Sequence, residues 1–224
     1  MEKSSFTALS LSTLKRWITL REDGVVNENW LNIDSILLTE DEQKQLQYLK
    51  MRLRNSRMLL MNEATVWARG IYPLLSLAEQ DQIQAWSSVA LQATYATFEL
   101  DGVADGVLGR CASGVIESPY LIVVEAKRGL EAVNPLYQLY GQVLAAAHLN
   151  WENDQKDPQE IFGCYTVSDI WTFIRSEVSG ITTDKPTLQV EFSREYSEPL
   201  EAEIIVKILK AIVAKKFSRG NFFH

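Results

Sequence analysis

The stretch Tyr120-Leu-Ile-Val-Val-Glu-Ala-Lys127 constrains this chain more than any other. A continuous apolar run of strand length, with no polar face, reads as a central strand covered on both sides. It ends abruptly in a carboxylate and an ammonium. Strand alternation sends the side chains of Glu125 and Lys127 to the same face. Charges at the rim of an apolar sheet are costly unless they pair or bind something. The same acidic-x-Lys pattern recurs at Glu42-Gln43-Lys44 and Asp154-Gln155-Lys156. The first opens a polar helix, where acids favour the dipole, and the second lies in a polar loop. Asp105, on a short strand upstream, can bring a second carboxylate beside Glu125.

The rest of the pattern is an ordered series of elements. Thr39 with Glu42 three positions on is a capping box, and good helix formers continue to Met61. A second helical stretch runs from Asn62 to about Gly70 and on past Pro73 to Leu77, as one bent helix or two. Val89 to Tyr95 alternates as a strand; Gly102 marks a turn; Val103 to Gly109 reads as a second strand. A loop through Ser113, Gly114 and Pro119 then leads into the run at Tyr120. Asn134-Pro135 opens a helix that places Leu136, Leu139, Val143, Leu144 and Ala147 at helical spacing. Ile161–Val167, Trp171–Ile174 and Leu188–Phe192 read as strands. From Pro199 to Phe217, Ile204, Ile205, Ile208, Leu209, Ile212 and Val213 line one helical face. The acids Glu195, Glu198, Glu201 and Glu203 read as the polar start of that helix. Residues 1–60 are expected as an N-terminal appendage whose helix packs on the core and residues 61–224 as the main domain, the two forming one compact unit. Helix, three strands, helix, strand, strand is the order of an α/β sandwich.

Composition removes several function classes. The formal charge is −7 over 224 residues, which argues against a protein that holds nucleic acid by bulk positive charge. A metal ion could still supply positive charge locally. Two cysteines, Cys111 and Cys164, build neither a disulfide framework nor a four-thiolate zinc site, and are expected as reduced thiols of a cytoplasmic protein. A single bridge between them is the alternative. His148 and His224 are the only histidines, so histidine-rich metal centres are excluded. There is no P-loop, no G-x-G-x-x-G and no G-x-S-x-G elbow. No apolar window spans a membrane, and Met-Glu-Lys-Ser-Ser lacks the form of a signal peptide.

Asp105, Glu125 and the Ala126 carbonyl form an oxygen-ligand set suited to Mg²⁺, which keeps several waters. Such a metal polarises a phosphoryl oxygen and lowers the pKa of a bound water. Lys127 would orient or deprotonate that water, or stabilise developing negative charge. A structural ion pair of Glu125 with Lys127 or Arg128 uses the same residues, and the spacing alone does not choose.

Ala104-Asp105-Gly106-Val107-Leu108, the run into Glu125-Ala126-Lys127 and the helix bearing Gln138-Leu-Tyr-Gly-Gln142 resemble the PD-(D/E)xK phosphodiesterase superfamily. Asn62-Glu63-Ala64 with Ile71-Tyr72-Pro73-Leu74-Leu75 resembles the first core helix of the branch related to type I restriction-subunit nuclease domains. Phe162 to Val167 and Trp171 to Ile174 resemble the strands that close its sheet. The likeness covers roughly residues 60 to 175, and the whole chain also resembles a family of cyanobacterial proteins. It implies a restriction-endonuclease-like αβββαβ sandwich with a mixed central sheet, plus an N-terminal helical appendage and a C-terminal helix. It further implies a nuclease centre holding Mg²⁺, with Mn²⁺ able to substitute, and DNA as substrate. Asp105 and Glu125 match the metal ligands, Lys127 the catalytic lysine and Glu63 the helix acid that helps hold a metal or its water. Gln138 matches the helix glutamine of a Q-x-x-x-Y pattern. Gln142 stands where that pattern has tyrosine, so either glutamine can face the site.

Lys50, Arg52, Arg54 and Arg57 form a basic stretch that would track a phosphate backbone or simply face solvent. Trp67, Trp86 and Trp171 read as packing. Two rival readings stay open. One is a catalytically inactive member acting as a binding or assembly module. The other is a nuclease subunit that needs a partner protein, docked through the first 60 residues or the last helix. A C₂ homodimer would suit double-strand cleavage.

Overall fold

The run at Tyr120 becomes an inner strand of an eight-stranded mixed sheet in the computed structural model, which describes residues 1–25, 33–55, 60–127 and 135–219. Arg57, Arg128, Asn134 and His224, named above, lie outside those residues. In chain order the strands are β1 (Glu2–Ser5), β2 (Thr19–Val25), β3 (Ile83–Thr94), β4 (Phe98–Ala112), β5 (Val115–Lys127), β6 (Gln159–Val167), β7 (Ile170–Ser179) and β8 (Thr187–Ser197). Their order across the sheet is β1-β4-β5-β6-β7-β8-β2, with β3 also paired to β4. β5 lies parallel to β6, and β4 runs antiparallel to both of its neighbours β3 and β5. A tight turn joins β4 to β5, with Ser113 and Gly114 both at positive φ, as two-residue hairpin turns require.

The helices are α1 (Leu11–Trp17), α2 (Glu40–Arg54), α3 (Glu63–Val66), α4 (Tyr72–Ser76), α5 (Pro135–Asp154) and α6 (Glu198–Arg219). The capping box at Thr39 is present, with Thr39 Oγ1 accepting from the Glu42 N–H and Glu42 Oε2 accepting from the Thr39 N–H. α5 and α1 cover one face of the sheet; α2, α4 and α6 cover the other, each over its own buried core. α3 and α4 are one continuous helix, because a π-helical turn over Trp67–Ile71 joins them. Pro73 has no N–H to continue the ordinary ladder, and the Tyr72 N–H reaches back to the Trp67 carbonyl. Among the described residues, no helix is long and apolar enough to cross a membrane. Both cysteines are free and buried.

Three sequence expectations change. The first 25 residues, read as part of an appendage, hydrogen-bond into the sheet: β1 runs parallel to β4, and β2 parallel to β8. Gly102, read as a turn, lies inside β4, where the Phe6 ring would sit 2.5 Å from a Cβ at that position. A close approach, and no turn, demands glycine there. The strands also run longer than their apolar patterns, since backbone pairing continues past the buried segment.

A shift of phase in β3 and β4 sets up the site. Ala85 belongs to one core and Val89 to the other, although strand alternation should send both the same way. Ala104 and Val107 likewise share a core despite opposite parity. Ser88, at φ 56, is where β3 rotates, between the pairs Ser87↔Gly106 and Val89↔Ala104. Asp105 lies between those pairs on β4.

Candidate active site

β4 and β5 pair from Ala112↔Val115 up to Gly106↔Val124 and no further. Beyond that point the Asp105 carboxylate continues the connection, with Oδ2 accepting from the Ala126 N–H at 2.7 Å. One carboxylate thus stands at the opening between two strands, next to the stretch Glu125–Lys127. Glu125 is only 3% exposed. Its Oε1 lies 2.6 Å from Lys127 Nζ, and its Oε2 accepts from Gln142 Nε2 on α5.

The electrostatics are those of a crowded acid pair with one cation. Burial raises the Asp105 carboxyl above its usual range, against the lowering effect of the Ala126 N–H and of Lys127. Burial also raises Glu125, and the negative charge of Asp105 adds to that rise; Lys127 and Gln142 oppose it. Burial alone would lower Lys127. The hydrogen bond and charge of Glu125, with the charges of Asp105 and Glu63, outweigh burial and hold the ammonium above its ordinary value. An ammonium held this firmly is suited to stabilise negative charge and poorly suited to remove a proton.

Asp105, Glu125, Lys127 and Gln142 are therefore brought together. Glu63 is exposed at the first position of α3, behind an Asn62 cap whose Oδ1 accepts from the Thr65 N–H at 2.8 Å. Its charge reaches Lys127, but it makes no ion pair or hydrogen bond with the other three. Gln138 is buried one helical turn before Gln142, and the Oε1 atoms of both glutamines lack a hydrogen-bond partner. Of the two, Gln142 is the one bonded to Glu125. Among the described residues, no three His, Cys, Asp or Glu side chains gather closely enough to hold a metal by themselves.

For a hard divalent cation the chain offers the carboxylates of Asp105 and Glu125, with the unpartnered Gln142 Oε1 on the side chain that donates to Glu125. This all-oxygen set fits Mg²⁺ with water completing its shell, and does not fit a softer metal. Trp67 fixes the helix above: its ring would meet a Cβ at Gly106 at 2.2 Å, and its Nε1–H donates to Ser87 Oγ at 2.9 Å.

The opposite face of this sheet end holds an acid that the sequence pattern concealed. Glu198, expected in a polar helix start, is fully buried. Its Oε2 accepts from Trp171 Nε1 at 2.7 Å, and its Oε1 has no partner. That oxygen lies 2.2 Å from where a Cβ on Gly70 would be, inside the π turn. Burial pushes the Glu198 carboxyl up to about 7, the Trp171 hydrogen bond notwithstanding. No local signal marks Glu198, because its neighbours come from β7 and from the helix after Asn62.

Set against known proteins, the chain matches no protein-family model, and no curated protein is similar to it.

Proposed function

We propose that the chain is a Mg²⁺-dependent phosphodiester hydrolase of the restriction-endonuclease-like, PD-(D/E)xK type, acting on DNA. One observation carries this reading: Asp105 from β4 and Glu125 and Lys127 from β5 meet where the two strands part. The chain order of α3–α4, β3, β4, β5, α5 and β6, with β6 parallel to β5, supports it. Asp105, Glu125 and the Ala126 carbonyl would hold the cation, with Glu63 reaching it through water. Bound there, Mg²⁺ supplies Lewis acidity toward a phosphoryl oxygen and acidifies a water. Lys127 holds positive charge against the phosphoryl group as negative charge develops. Gln142 fixes the orientation of Glu125, and Gln138 presents a further polar group one turn away.

The test incubates purified chain with plasmid, linear duplex, single-stranded DNA and RNA in Mg²⁺ or Mn²⁺. Cleavage that disappears in Glu125→Ala, whose melting curve still shows a folded protein, is the expected result. Cleavage of none of these substrates, together with no heat of Mg²⁺ or Mn²⁺ binding by calorimetry, overturns the reading. The distance of 2.6 Å from Lys127 to Glu125 favours one alternative, a non-catalytic module in which that pair is complete without a metal. The same Mn²⁺ titration separates the two.

A further inference from the structure

Glu198 is anchored on one side and meets the π turn on the other. Its N–H donates to the Asp169 carbonyl at 2.8 Å, in the turn between β6 and β7. Trp171 of β7 donates to its Oε2. Three residues on, α6 breaks its helical geometry at Glu201, whose side chain accepts from the Ser197 N–H at 2.9 Å and pairs with Arg194 at 2.8 Å. The contact of Oε1 with Gly70 involves no hydrogen bond. The carboxyl is therefore the fixed side, and the turn Trp67–Ile71 is the side able to give. That turn also reaches the candidate site. Trp67, its first residue, lies with its ring on Gly106, next to Asp105, and Gly70 follows three residues later. Such turns are rare and recur at functional sites.

The groups around Glu198 give an ionised form little support. Asp169 adds negative charge, and among the described residues no cation acts on the carboxyl. From β6, the Cys164 thiol is pushed well above its ordinary value by burial and then by Glu198, and stays neutral. From α2, the Arg54 guanidinium ends on the Pro199 carbonyl. Arg69 of the turn is exposed, and Tyr72 of α4 gives its hydroxyl to the Ala85 carbonyl at 3.2 Å. A fully buried carboxylate with a single N–H donor is costly, and ionisation there has to draw in water. Burial brings that change close to neutral pH, at about 7.

We propose that Glu198 is a proton-operated latch on the π turn: protonated, it holds Gly70 seated; ionised, it parts from Gly70, admits water and lifts Trp67 from Gly106 beside Asp105. The turn is seated in mild acid and loosened above neutrality. It is the two-state element, and the proton is the ligand that selects its state. The latch rests on the packing of α6 against the helix after Asn62, so it stands whether or not the chain cleaves DNA.

The test follows Trp67 in the full chain labelled with 5-fluorotryptophan, its fluorine resonance assigned by Trp67→Phe, from about pH 5 to 9. The expected result is one titration of that resonance with a midpoint within about one unit of 7. It should be absent in Glu198→Gln, which keeps a carbonyl oxygen for Trp171 and cannot ionise. His148, on α5 against Tyr95, belongs to the opposite layer and is common to both chains. Amide hydrogen exchange across Trp67–Ile71, corrected for its ordinary rise with pH, should speed up at least about tenfold over the same window in the parent and not in the variant. A Trp67 resonance that stays fixed in the parent overturns the latch, as does a titration that persists in Glu198→Gln. Exchange that speeds up at Gly70 while Trp67 stays fixed overturns it too.

Discussion

Glu125 and Glu198 sit on opposite faces of the same end of one sheet, 3% and 0% exposed, and burial pushes both carboxyls upward. Around Glu125 the chain adds an ammonium, a glutamine N–H and a second carboxylate. Around Glu198 it adds one indole N–H and leaves the other oxygen without a partner. A structural acid is satisfied cheaply by staying protonated, as Glu198 does at about 7. Crowding Asp105 against Glu125 and then balancing them with Lys127 has no such simple structural return. The contrast separates an acid that fills space from a crowded carboxylate pair balanced by an ammonium, the arrangement on which the proposed function rests.

The largest expected effect breaks that contrast at Lys127. Lys127→Gln retains an N–H to donate to Glu125 but removes the charge. On the nuclease reading, the first-order rate of plasmid cleavage in Mg²⁺ falls by about 10²–10³-fold, the range for losing one preorganised stabiliser of developing charge. The far-ultraviolet spectrum should stay unchanged. A rate within about threefold of the parent chain would make Lys127 a partner of Glu125 and nothing more.

Next comes the opposite face. The folded-state value of Glu198 lies near 7 and its ordinary value is 4.5, so the folded protein binds this proton more tightly than the unfolded chain. The resulting stability is full below pH 4.5 and is lost as pH rises toward 7. Glu198→Gln cannot titrate and keeps a carbonyl oxygen for the Trp171 N–H. From pH 4.5 to 8 the variant should therefore gain stability relative to the parent, on the order of 3 kcal/mol, in urea titrations across that window. A difference independent of pH would mean that Glu198 is charged in the folded protein.

The two acids were not equally legible. Glu125 and Lys127 stand at the end of an uninterrupted apolar run, so local sequence alone flags their charge as expensive. Glu198 follows a half-buried strand and precedes Pro199, surrounded by other acids, and its burial depends on Trp171 and Gly70 arriving from elsewhere. The edge strands β1 and β2 were hidden for a related reason. Their residues, Glu2–Ser5 and Thr19–Val25, are mostly exposed, and backbone bonds to β4 and β8 hold them with almost no apolar alternation to read. The capping box at Thr39 was legible because both of its partners lie within one turn. Asp105 could be placed beside Glu125, but the phase shift that turns it toward Ala126 arises from Ser88 on the neighbouring strand.

A smaller effect sharpens the account of Glu198 through its neighbour. Gly70→Ala sets a methyl group 2.2 Å from Glu198 Oε1, which is buried and tethered through Oε2 to Trp171. The carboxyl cannot swing into solvent, so the substitution should cost about 1–3 kcal/mol, read from the denaturation midpoint. In a double-mutant cycle with Glu198→Ala, which removes the obstacle, most of that cost should vanish. If the two substitutions add independently, the contact is absent and the π turn owes its glycine to something else.

The smallest effect concerns the helix that joins both regions, since α3 presents Glu63 toward Lys127 at one end and its π turn places Gly70 on Glu198 at the other. Asn62→Ala removes the acceptor for the Thr65 N–H and should cost about 1 kcal/mol, whereas Asn62→Asp keeps the cap and should be nearly neutral. Fraying of that first turn loosens Glu63 while leaving Asp105, Glu125 and Lys127 in place. If Glu63 assists the cation only through water, Asn62→Ala should raise the Mg²⁺ concentration for half-maximal cleavage by less than about tenfold, with the rate at saturating Mg²⁺ preserved. A loss of saturated rate as deep as that of Lys127→Gln would put the start of α3 inside the reacting centre. No change in Mg²⁺ dependence, with the stability loss intact, would confine Glu63 to the helix dipole it occupies and leave the metal to the two strands alone.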